Sequence, residues 1–169
     1  MEMRLTNKQR GVTTVEFAIV ALVALTILFG AIEVGRFMFT ANTLQEATRR
    51  GARMAAVCTY NSPAILRASI FNSTGSGTTG PILNGLTTAN IRLQYIDDNG
   101  NAVTGYVPGD PSTESFYYEI AYVQVDIVNF NFRFFIPGLD IVHTFNGYPT
   151  IMPRESLGVP PEGQTSTCT

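Results

Sequence analysis

One stretch limits what this chain can fold into more than any other. From Val12 to Ile32 it reads "VTTVEFAIVALVALTILFGAI", and Glu16 is the single charge in it. Those 21 residues would make about 31 Å of helix at ~1.5 Å per residue, close to the ~30 Å hydrocarbon thickness of a bilayer. Arg4, Lys8 and Arg10 precede the run. The positive-inside bias then places Met1–Gly11 in the cytoplasm and everything after about Arg36 outside it. A cleaved secretory signal would have a shorter apolar region ending at a small-residue site. The sequence that follows, "GAIEVGRFMFTANTLQEATRRGARMAAV", has no convincing site of that kind. Its pattern stays helical. Ala47, Gly51 and Ala55 repeat every four residues as a small-residue face, Arg49, Arg50 and Arg53 fall largely on other faces, and no proline appears until Pro63. The reading is one helix from about Thr13 to about Val57: a membrane half over Val12–Ile32, then an amphipathic half outside the membrane.

Glu16 needs its own account. A carboxylate deep in lipid costs roughly 2.5–3.5 kcal/mol on insertion scales. One reading is that it sits a turn inside the interface and reaches the headgroups. The other rests on spacing. "GVTTVEF" is a glycine, four residues, a glutamate and a phenylalanine, placed after a short basic leader and at the head of the apolar span. This resembles the processing site of type IV pilin precursors, in the short-leader form of the Flp/Tad pilus branch. The resemblance implies a prepilin peptidase cut between Gly11 and Val12, leaving Val12 first and Glu16 fifth, followed by Phe17. Cleavage would create an ammonium at Val12 in a low-dielectric setting. Buried charges persist when paired, so Glu16 would be its counter-charge within one chain or between neighbours.

The flanking residues narrow the resemblance. "RGVTTVEFAIVALVALTILFGAIEVGRFMF" followed by "LQEATRRGARMAAV" is similar to the N-terminal signature of TadE-like proteins, the minor pseudopilins of Tad secretion and pilus systems. The familiar elements are the pair Glu33 and Arg36 and the helix end from Gly51 to Ala55; "TIMPRES", Thr150–Ser156, resembles the family's tail. The TadF and TadG-type proteins share this N-terminal design. Membership implies a non-catalytic pilus-assembly protein in the bacterial inner membrane. Its partners would be the prepilin peptidase, other pilins and pseudopilins of the system, the inner-membrane assembly platform and the bilayer. The alternative function is an uncleaved, single-span external binding or sensor module. Read from the residues alone, Glu33 and Arg36 are an i,i+3 pair marking the interface. The face formed by Ala47, Gly51 and Ala55 would pack on the protein's own domain.

Residues 58–169 are expected to form an external α+β domain with an extended tail from Pro153. Ser62 and Pro63 read as the start of a short helix, and Gly75–Pro81 as a loop. Ile91, Leu93 and Tyr95 alternate with polar residues ahead of Asn99-Gly100, which predicts strand, turn, strand through "NAVTGYV". "YYEIAYVQVDIVNFNFRFF", Tyr117–Phe135, is the longest strand signal, stopped by Pro137-Gly138, and "HTFNGYPTIM" adds a last strand. The fold class is therefore α+β: a long N-terminal helix, a short helix and an antiparallel sheet of about three or four strands.

Cys58 and Cys168 would both lie outside the cytoplasm, where disulfides persist. A bridge would pin the tail to the end of the long helix, with an upper expectation of about 4.7 kcal/mol for a loop of ~100 residues; the alternative is two unpaired thiols. No Cys/His cluster indicates a metal, and no cofactor is expected. His143 is the only histidine and has no partners for nucleophilic catalysis in its surroundings. Asp97, Asp98, Asn99 and Asn101 miss the calcium-loop spacing and read as a turn. Phe116, Tyr117, Tyr118, Phe130, Phe132, Phe134 and Phe135 are assigned to core strands. The net charge of -2 gives no sign of a nucleic-acid partner.

Overall fold

A computed structural model describes residues 10–72, 77–136, 140–158 and 168. The leader up to Gln9, Gly75-Ser76 of the expected loop, the Pro137-Gly138 stop and most of the tail beyond Gly158 lie outside the described residues. The first element, α1, is a single helix over Arg10–Val57; it ends at the expected Val57 and starts three residues ahead of the expected Thr13. The chain divides between Phe39 and Thr40 into two units, so the division falls within the helix rather than at its end.

In the first unit, large side chains cover the helix on every side. Val12, Phe17, Leu22, Ile27 and Phe29 are all exposed, which in water would be a heavy penalty and in lipid is the ordinary state. This helix is a candidate membrane span by length and composition. The one hydroxyl in mid-run turns inward: Thr26 Oγ1 donates to the Leu22 carbonyl at 2.8 Å, so it needs no outside partner.

The second unit buries one stripe of α1: Thr40, Leu44, Ala47, Thr48, Gly51, Ala52, Ala55 and Ala56. These recur at three- and four-residue steps, the spacing of a single helix face. The helix α2, Pro63–Ser69, follows, with Ser62 Oγ accepting from the Ala64 N–H and Pro63 in the first turn. A three-stranded antiparallel sheet has the order β1-β2-β3, with β1 Ile91–Ile96, β2 Tyr122–Arg133 and β3 Val142–Pro153. The core gathers Ala55, Ala56, Cys58, Ile65, Tyr95, Val103, Ile120, Val123 and Leu157.

Along β2 the buried apolar residues are Val123, Val125 and Ile127, then Phe130 and Phe132; Asp126 is buried as well, paired with Arg92. The step from odd to even positions coincides with register irregularities at Val125/Ile127 and Ile127/Phe130. An extra residue in one strand resets which side chains face the core. Asn129, with φ 52°, takes up the left-handed turn there.

Three expectations need correction. The segment after Asn99-Gly100 is not a strand: only an isolated bridge between Ile96 and Ala102 forms. The turn itself is real, with the Asp97 N–H donating to the Asn101 carbonyl at 2.9 Å. β1 takes β2 as its ladder partner instead. Tyr117–Glu119 belong to a short helix, α3, Glu114–Glu119. Asp110 accepts from the Ser112 N–H and, with Pro111, starts a 3-10 turn over Pro111–Thr113 that runs directly into α3; this upstream start outweighs the strand preference of the aromatics. Finally, the aromatics do not all enter the core. Phe130 and Phe132 are buried, but Phe116, Tyr118 and Phe135 are exposed.

Candidate assembly helix and its anchored end

The expected processing residues lie in one unbroken helix. Gly11, Val12, Glu16 and Phe17 all fall within α1, and Val12, Glu16 and Phe17 are exposed. Val12 and Glu16 are four residues apart, which puts them one above the other on a single helix face. Glu33 and Arg36 form their expected pair, Arg36 donating to Glu33 Oε1 at 2.5 Å.

The small-residue face lies against the sheet and α2 within the second unit. Ala47 and Ala55 have no exposed surface. A Cβ placed on Gly51 would come within 2.2 Å of Ser69 Oγ and 3.1 Å of Val125 Cγ1. Glycine is what lets helix, strand and α2 approach this closely. Ser69 Oγ cannot easily yield, because it donates to the Ile65 carbonyl at 2.9 Å.

A bond across the same face was not anticipated. Thr48 Oγ1 donates to the Gln45 carbonyl at 2.9 Å, and it also lies 2.9 Å from Thr150 Oγ1. Thr48 has one hydroxyl proton, so Thr150 donates to it. The signal available in sequence was a threonine at a buried position of the stripe.

The end of α1 is closed by residues a hundred positions away. The Ala56 carbonyl accepts from the N–H groups of Glu155 (3.0 Å) and Leu157 (3.3 Å), and the Val57 carbonyl from Gly158 at 2.9 Å. The last carbonyls of a helix have no partner within it, and the segment after β3 supplies them. A Cβ on Gly158 would come within 2.6 Å of the Thr59 backbone, and its φ is 78°, so glycine alone fits there. The "TIMPRES" segment is thus not a loose extension: Leu157 is buried and Arg154 lies over the Tyr117 ring at 4.9 Å. Next to this joint, Cys58 and Cys168 are disulfide-bonded, with Cα atoms 5.6 Å apart.

Tyrosines crowd the same end. Tyr60 contacts Tyr95 and Tyr106, with ring centroids 4.2 and 5.1 Å away. Burial pushes the Tyr95 hydroxyl up to about 12, although its bond from the Asn61 N–H acts in the opposite direction.

The polar candidates make local structural contacts. Asp97 accepts from the N–H groups of Asn99 and Asn101 and from the Asn101 side chain. The Asn101 amide foremost holds its carboxyl below the usual range. Its oxygens are thus occupied in making a turn. His143 is an exposed residue of β3, stacked edge-on against Phe145 at 4.8 Å. Among the described residues no group of three or more His, Cys, Asp or Glu could hold a metal ion.

Comparison with known proteins agrees with the helix. No curated protein and no solved structure matches the chain. The model of the TadE-like protein family matches residues 11–53. The matched segment opens on Gly11, takes in Glu16, Phe17, Glu33 and Arg36, and ends two residues past Gly51, so it covers both the apolar run and most of the packed stripe. Over its N-terminal helix, residues 11–53, this chain matches the family of TadE-like proteins.

Proposed function

We propose that the protein is a minor pilin-like subunit of a Tad-type pilus, cut after Gly11 by a prepilin peptidase and held in the inner membrane by Val12–Ile32. The observation that carries this reading is the family match beginning at Gly11, with a carboxylate five residues later at the head of an otherwise uncharged span. Met1–Gly11 is the cytoplasmic leader, and residues 58–169 form the external domain together with the end of α1. The new Val12 ammonium and Glu16 neutralise one another between neighbouring subunits at the assembly platform, which fixes their axial register. The role is structural: the chain supplies an anchor, a counter-charge and a folded external unit rather than a catalytic group.

Glu16→Gln tests the assembly role. The amide keeps the side chain's size and removes the charge. Membrane level and processing should persist, because the glycine and the basic flank are unchanged. Insertion should even become easier, because a charge has left the lipid. Piliation should fall sharply in cells carrying only this variant. Normal piliation at normal membrane level would instead support the uncleaved-anchor reading, with Glu16 resting at the interface.

A further inference from the structure

The charges of the second unit are sorted by sign. Between Thr40 and Val57, α1 carries Arg49, Arg50 and Arg53 against a single acid, Glu46, and α2 adds Arg67 and no acid. From Asp97 to Glu119 the chain carries Asp97, Asp98, Asp110, Glu114 and Glu119 and no basic residue. Like charges gathered in one place repel each other, so each group gains by meeting a surface of the opposite sign.

The basic group has a shape. A groove of about 280 Å³ is lined by Arg50, Arg53 and Met54 of α1 and Ala68 of α2. Met54 and Ala68 make it apolar, and the two guanidiniums make it cationic. Arg50 is preset: it lies 4.9 Å over the Phe71 ring and 3.6 Å from Glu46. Arg53 is exposed and has no ion pair among the described residues.

The acidic group sits on a segment that faces solvent. Val107 is 52% exposed and Tyr118 70%, and Glu114 and Glu119 are exposed as well. Asp97 and Asp110 turn their oxygens to local N–H groups. Asp98, Glu114 and Glu119 have no ion pair among the described residues. Arg154 reaches this segment but donates to the Tyr117 carbonyl rather than to an acid. The two groups therefore do not neutralise one another within one chain.

We infer that the acidic segment of one copy docks in the α1–α2 groove of a second copy. Glu114 and Glu119 meet Arg50 and Arg53, and the exposed Val107 adds apolar contact with Met54 and Ala68. The chain's single lysine is Lys8, so the second unit offers arginine, whose planar fork takes carboxylates two bonds at a time. The contact joins two different surfaces, so it is head-to-tail and repeats along a row of copies. It uses the second unit alone and does not depend on a cut after Gly11.

The test places a benzoylphenylalanine photo-cross-linker at Val107 in the full-length chain, in phosphatidylcholine vesicles, which carry no net charge. Light should link two copies, and the linked peptides should join Val107 to α1 or α2. Raising salt to about 1 M, where screening acts over ~3 Å, should cut the linked dimer about fivefold or more. R50E/R53E and E114R/E119R chains, each carrying the probe, should show a similar loss when alone. Reconstituted together in equal amounts they should regain the dimer, because a reversed groove meets a reversed segment; that regain also shows that both variants fold. An unchanged chain that gives no dimer, links to other residues or keeps its yield at high salt would overturn the inference. A mixture of folded variants that links no better than its parts would overturn it too. If either variant misfolds, the salt dependence and link position of the unchanged chain decide.

Discussion

One helix shows opposite rules in its two parts. Before Ile32, α1 carries valine, leucine, isoleucine and phenylalanine, and all of them are exposed. After Thr40 it carries chiefly alanine, glycine and threonine on its inner face, and these are buried. Size, not apolarity alone, separates the parts. Large side chains suit lipid, which needs no fixed partner. Small ones let a strand and a second helix approach the backbone. The difference teaches that burial in the folded unit follows the room available, and that the greasiest segment of a chain need not be its core.

Changes to the second part should therefore be costly, and matched changes to the first should not. The largest effect is expected at the anchored end. Cys168→Ser opens a bridge with a sequence separation of 110 and should lower unfolding stability by about 2–5 kcal/mol, read by denaturant unfolding in detergent. An unchanged midpoint would mean that the backbone bonds to Ala56 and Val57 hold the tail alone. The paired glycines come next. Gly51→Ala drives a methyl into Ser69 and Val125 and should cost about 1–3 kcal/mol. Gly30→Ala, where a Cβ meets nothing within 4 Å, should leave that transition in place. Equal effects would erase the contrast between the parts.

The paired threonines sharpen it further. Thr48→Val strands the Thr150 hydroxyl and should cost about 1 kcal/mol; Thr26→Val, whose bond is local, should not shift the unfolding of the second unit. The smallest effect concerns alkali. The Tyr95 phenol titrates near 10 when unfolded and near 12 when folded. The unfolded state therefore loses its proton first, so this contribution to stability is intact below pH ~10 and is lost as pH rises toward ~12. Tyr95→Phe should flatten that decline; an equally steep loss in the variant would assign it to other groups.

Local chemistry was legible in the sequence, and of the long-range closure only the Cys58–Cys168 bridge was. The apolar run, the length of α1, the Ser62-Pro63 start and the last strand announce themselves through spacing and caps. Tyr117–Glu119 misled because aromatic residues favour strands, while the decisive signal, Asp110-Pro111, sat several residues upstream. The bulge in β2 was visible only as a change of parity between Ile127 and Phe130. The bonds from Glu155, Leu157 and Gly158 to the end of α1 join distant parts of the chain, and no spacing announces them. The small-residue face was legible, but its depth depends on Ser69 and Val125, which no helical pattern contains. At the candidate site, the Gly11–Glu16 spacing and the family match address the same residues.

The central claim is that the chain is a pilin-like precursor, and the intact mass of the membrane-extracted protein tests it most directly. In cells with an active prepilin peptidase, the mass should lack Met1–Gly11 and the first residue should be Val12, while cells without the peptidase should retain the full basic leader. A leader still attached in peptidase-positive cells would contradict the account and leave an uncleaved membrane anchor in its place.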